Sequence, residues 1–237
     1  MKLPLALFVA FAAWVGCRSV RDVDVASAPV APAVTPEACA VLAPVERMAI
    51  VSAELKTIGT AIRAYRAKHD GRWPTSLSSL IVEGLLPVGA LISAADPSGG
   101  REGGVPDRYD TWQQSAETDE ANSSFLYELS GAVAMWDWKS YLAGKPTVAA
   151  LDTDKNGEVS WQEAKLWQLA HGDVTQTNAP SAYPSNRFPV VRCYWHAYPG
   201  SKDDLTQRSV INLAADLDTV FLSQPWWEKD ATPVTLR

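Results

Sequence analysis

A chain of 237 residues, 47% of them apolar, has room for one good-sized domain or two small ones around a real core. Its formal charge of −6, with acidic and basic residues interspersed, leaves no basic patch or stripe, which argues against nucleic-acid binding. Ten tryptophans are many for this length, and eight of them lie beyond residue 100, so the aromatic core is expected in the C-terminal half.

The chain opens MKLPLALFVAFAAWVGC. One lysine precedes an apolar run, Leu5 to Val15, that fits a secretory signal and is short for a membrane span. Val15-Gly16-Cys17 resembles a bacterial lipobox, with a small residue before a cysteine that takes a lipid and becomes the mature N-terminus; Trp14 stands where that pattern prefers Leu. The expectation is a lipoprotein-type signal over 1–16, lipidation at Cys17 and a membrane anchor; the alternative is a plain secretory signal cut elsewhere. Residues 17–40 carry three prolines among Ala, Val and Ser with no apolar period, which reads as a tether. Of the three cysteines, Cys39 and Cys193 then remain, either as a disulfide or as two buried thiols.

The domain proper is expected over 41–237. Val41, Val45, Met48, Val51, Leu55, Ile58, Ile62 and Tyr65 recur at steps of three and four, a stripe that predicts a long helix. Pro44 suits its first turn, Lys68 and His69 suit its negative end, and Asp70-Gly71 stops it. Thr75 or Ser76 can cap a short second helix carrying Leu77, Leu80 and Ile81. Residues 93–123 lack a period and read as a long loop. Ser123–Leu129, Phe188–Trp195, Ser209–Leu213 and Thr219–Leu222 have strand composition, and Ala214–Asp218 is a turn that makes the later strands an antiparallel meander. The class is α+β: a long N-terminal helix packed on an antiparallel sheet, with an inserted loop-helix unit.

That insertion holds LDTDKNGEVSWQE, Leu151 to Glu163. Counted from Asp152, it places Asp152, Asp154 and Asn156 at positions 1, 3 and 5 of an EF-hand calcium loop. Gly157 falls at position 6, Glu158 offers its backbone carbonyl at 7, Ser160 sits at 9, and Glu163 closes the loop at 12 with two oxygens. A hard cation needs this many oxygens, and it removes the mutual repulsion of the carboxylates. The exit helix offers Leu166, Trp167 and Ala170 on one face, whereas Pro146 limits the entry helix to about Thr147–Leu151. No second loop of this pattern is present, so calcium in a unit spanning 145–171 reads as structural. Cys193 and His196 could serve a soft metal or a nucleophile–base pair, but strand alternation separates them, and the chain has only two other histidines. No catalytic residue is assigned, and a non-enzymatic role is expected.

Leu55–Pro87, above all Gly71-Arg72-Trp73-Pro74-Thr75 after a long helix, resembles the pseudopilins of type II secretion systems. Phe188–His196 with the preceding Arg187, followed by SVINL and an acidic turn, is similar to the late strands of pseudopilin-like proteins. The resemblance implies a helix-on-sheet head. Those proteins carry a Gly-Phe cleavage site and an apolar segment continuous with the helix, whereas here a proline-rich tether intervenes, so the likeness is to a head without the filament-forming stalk. The expected function is a calcium-binding envelope lipoprotein, facing periplasm or exterior, that binds or assembles with envelope proteins. The alternative is a secreted enzyme or glycan-binding protein using the tryptophan-rich C-terminal half, with Trp226-Trp227 as a platform.

Overall fold

In the computed structural model the described residues are 42–101, 123–134, 146–172, 182–195 and 210–223. The signal, Cys17, the tether, Cys39, His196 and Trp226-Trp227 lie outside them. Helices and a four-stranded antiparallel sheet make the fold α+β. In chain order the elements are α1 (Pro44–Lys68), α2 (Ser78–Val82), β1 (Leu126–Tyr127), α3 (Val148–Leu151), α4 (Trp161–His171), β2 (Pro189–Cys193), β3 (Val210–Ala214) and β4 (Val220–Ser223).

Helix α1 begins with Pro44 at its first position, where a missing N–H costs nothing, and Glu46 accepts the Ala43 backbone N–H at 2.8 Å. It ends where Asp70 and Gly71 turn left-handed, at φ 52° and 82°, and the Gly71 N–H closes on the Arg66 carbonyl. Val51, Leu55, Ile58 and Ile62 are buried, while Val45, nearly two turns before Val51, is exposed. Gly59 marks the closest approach to the sheet. A β-carbon there would stand 2.8 Å from the Leu217 carbonyl oxygen and 3.1 Å from a Leu213 methyl. One turn on, Arg63 donates to the Leu217 carbonyl at 2.9 Å and to Asp218 at 2.7 Å, fastening the helix to the β3–β4 turn.

The strands lie in the order β1-β2-β3-β4, each antiparallel to the next. Arg192 on β2 faces Leu126 on one side and Asn212 on the other, and Asn212 faces Phe221. One extra residue bulges between Pro189 and Val191. Every residue of β2 and β3 is buried, because one face meets the α1 core and the other is also covered. Cys193 belongs to the main core, whereas Tyr194 packs in a separate cluster with Val210 and Leu126.

The expected strand Ser123–Leu129 narrows to two ladder residues. After Tyr127 the chain changes partners. Glu128 N–H still reaches the Val190 carbonyl at 2.9 Å, but Ser130, Ala132 and Ala134 bond to Gln162, Trp161 and Val159 of the acidic-loop segment. Segment 126–134 is thus a strap, paired with β2 at one end and with the loop at the other.

Candidate metal centre

Helix α3 is a single turn, capped by the Thr147 hydroxyl, which accepts from the Ala150 N–H at 3.2 Å. The chain then wraps on itself through left-handed Lys155 (φ 61°) and Gly157 (φ 89°), where the glycine spares the strain a side chain would bring. Backbone donors inside the wrap are taken by side chains. Asp152 accepts the N–H of Asn156 at 3.0 Å and of Gly157 at 2.9 Å, and Asn156 Oδ1 accepts the Glu158 N–H at 2.7 Å. Asp154 accepts from the Asn156 backbone and from its Nδ2.

Glu163 closes the loop from α4. Its Oε1 accepts the Thr153 N–H at 2.6 Å and the Thr153 hydroxyl at 2.9 Å; its Oε2 accepts the Ser160 N–H and hydroxyl at 3.0 and 2.9 Å. Partial burial pushes this carboxyl up, but the Ser160 and Thr153 hydrogen bonds outweigh it and hold the pKa below the usual glutamate value. Ser160 also caps α4 by accepting the Glu163 N–H, so one residue pair both starts the helix and shuts the loop.

Carboxylate oxygens of Asp152, Asp154 and Glu163 lie within 4.8 Å of one another. A cation with oxygen bonds of about 2.3–2.6 Å touches ligands up to roughly 5 Å apart, so one hard ion fits this set. Asn156, Glu158 and Ser160 belong to the same wrap; the Glu158 side chain is exposed and lies outside the carboxylate group, and Asn156 and Ser160 spend their side chains on loop and cap hydrogen bonds.

The mounting of α4 differs from the expected one. Ala170 is exposed, and the face turned inward is Trp161, Ala164, Lys165 and Gln168. A lysine can face inward there because Glu128 Oε2 stands 3.3 Å from its ammonium, and Glu128 Oε1 accepts from Arg192 at 3.0 Å. Arg192 continues to Asn212 Oδ1 at 2.9 Å, and Asn212 donates to the Ser223 hydroxyl at 2.9 Å. This polar line runs buried from α4 across the sheet. Sequence reasoning missed it, and its local signal is only Lys165 set among the apolar positions of the exit helix.

The first N–H groups of α4 are all satisfied. Trp161 and Gln162 donate to the Ala132 and Ser130 carbonyls, Glu163 donates to the Ser160 hydroxyl, and Ala164 donates to the Ser160 carbonyl. The Gln162 side chain reaches the carbonyls of Pro74 and Leu129, both at 3.0 Å, and Tyr127 donates its hydroxyl to Pro74 as well. The Gly71–Thr75 turn therefore meets α4 directly. Between them lies an open groove of about 500 Å³, lined among others by Tyr65, His69, Arg72, Trp73, Gln162 and Leu166.

Among the described residues no helix is long and apolar enough to cross a membrane. The chain matches no family model, no curated protein and no solved structure.

Proposed function

We propose that this chain is a non-enzymatic, calcium-binding lipoprotein of the cell envelope, with a pseudopilin-like head that binds or assembles with envelope proteins. On this reading residues 145–171 form an EF-hand-like insertion, and calcium is its brace. The observation that carries it is the convergence of Asp152, Asp154 and Glu163 in a loop whose glycine and amide positions match the twelve-residue calcium pattern. Asp152, Asp154, Asn156, the Glu158 carbonyl, Ser160 and Glu163 would supply the oxygens, and the ion would neutralise the three clustered carboxylates. The strap also supports a structural role. The Val159 carbonyl accepts the Ala134 N–H at 2.7 Å and Val133 bridges to Ser160, so the loop's short extended stretch is paired with the strap of the same chain. Cys17 would carry the lipid, and residues 17–40 would set the head off the membrane.

Calorimetric titration tests the metal: one calcium per chain is expected, lost in Glu163→Gln, and no heat of binding at millimolar calcium would refute it. Fractionation tests the anchor: Cys17→Ser is expected to leave the membrane fraction, and retention there would refute lipidation.

A further inference from the structure

Helix α4 has two fastenings. Glu163 belongs to the loop, and Lys165 belongs to the buried charges of the sheet. Two residues apart on a helix means about 200° of rotation, so the two side chains leave on nearly opposite faces. The helix has eleven residues, too few for an isolated helix to persist in water. Its persistence as a helix therefore depends on what it docks against, and both fastenings contribute to that docking. Its N-terminal donors point the same way, since Trp161 and Gln162 bond to the strap that carries Glu128.

We propose that the cation loop and the Lys165–Glu128–Arg192 group are thermodynamically coupled through the docking of α4, so that calcium bound at one end orders the centre of the sheet at the other. This rests on the calcium reading of the loop. A ligand that binds only the docked state shifts the helix toward docking, and any group that stabilises docking raises the affinity for that ligand by the same factor. Lys165 is no metal ligand: its ammonium bonds to Glu128, which also accepts from Arg192 on β2. An effect of Lys165 on calcium affinity must then pass through the helix. The same docking holds Gln162 and Leu166 as one wall of the groove beside Trp73, so calcium also sets the shape of that groove.

The test titrates calcium alone into the full chain and into Lys165→Met, which keeps the apolar stem and removes the charge. The affinity is expected to fall roughly tenfold, within the usual range of coupling between sites, and Lys165→Arg is expected to restore most of it. Equal affinities in wild type and Lys165→Met would overturn the coupling while leaving the calcium site intact. Absence of binding in the wild type would instead overturn the calcium reading itself. Hydrogen exchange on the wild type decides the matter even if the variant does not fold. Added calcium is expected to slow exchange at Val191, Arg192 and Cys193 as well as in the loop; slowing confined to residues 147–171 would overturn the proposal.

Discussion

The Lys165 ammonium stands 3.3 Å from a Glu128 carboxylate oxygen, and both side chains are almost wholly buried. A charge removed from water needs a partner of opposite sign and good geometry. Here the pairing joins an exit helix to a strap, and the second oxygen of Glu128 passes the interaction on to Arg192 in the second strand. The acidic loop and the sheet are thus fastened by more than a shared backbone.

Arg192 is the member of this group with most to lose. Its side chain holds Glu128 and Asn212 at once, so Arg192→Met strands two buried acceptors. The variant is expected to lose roughly 3 kcal/mol, the scale of breaking one side of a buried pair. Urea titration checks this through a lower midpoint at unchanged slope. A midpoint equal to that of the wild type would show that the group contributes nothing to stability.

Gly59 makes a prediction against helix propensity. Alanine is the better helix former in isolation, yet here its methyl meets the Leu217 carbonyl at 2.8 Å. Gly59→Ala is expected to destabilise by about 1–3 kcal/mol, the usual cost of overpacking. An exposed glycine of the same helix type would gain from the change. A raised melting temperature for Gly59→Ala would mean that α1 is not seated this closely on the β3–β4 turn.

The Glu163 carboxyl gives a pH signature. Its folded pKa lies below its ordinary value, so its contribution to stability is present above the unfolded pKa and is lost as pH falls through the folded one. Thr153→Val removes one hydroxyl donor to Oε1. In chelator, its loss of melting temperature on acidification is expected to be smaller than that of the wild type and to be complete at a higher pH, because the folded pKa moves back toward the unfolded one while the onset, set by the unfolded chain, stays put. Coincident curves would mean that the Thr153 hydroxyl does not hold this carboxylate ionised.

These residues also show what the chain reveals locally and what it does not. The runs around Val190, Ile211 and Phe221 are β-branched and aromatic, with an acidic turn between the last two, so the antiparallel sheet and the α+β class were legible. The loop was legible because oxygen-bearing residues and a glycine recur at fixed spacing, and the structure does gather Asp152, Asp154 and Glu163. Ser123–Leu129 looked like one strand because composition does not tell where a backbone changes partner; the switch at Glu128 depends on a segment some thirty residues onward in the chain. The inward face of α4 was misread for a related reason. A lysine reads as solvent-facing unless its partner is known, and Glu128 and Arg192 come together only when the sheet forms, 64 positions apart.

The central claim is that a cation braces this head, and thermal melting with and without calcium tests it most directly. With a dissociation constant of about 10⁻⁴ M and calcium near 10 mM, linkage gives about 2.7 kcal/mol and a rise of roughly 5–10 °C. The rise is expected to vanish in Asp152→Ala combined with Glu163→Gln and to be absent with magnesium at the same concentration, because the smaller ion prefers six tightly held ligands and keeps its water. A wild-type melting curve that calcium leaves unmoved would contradict the account.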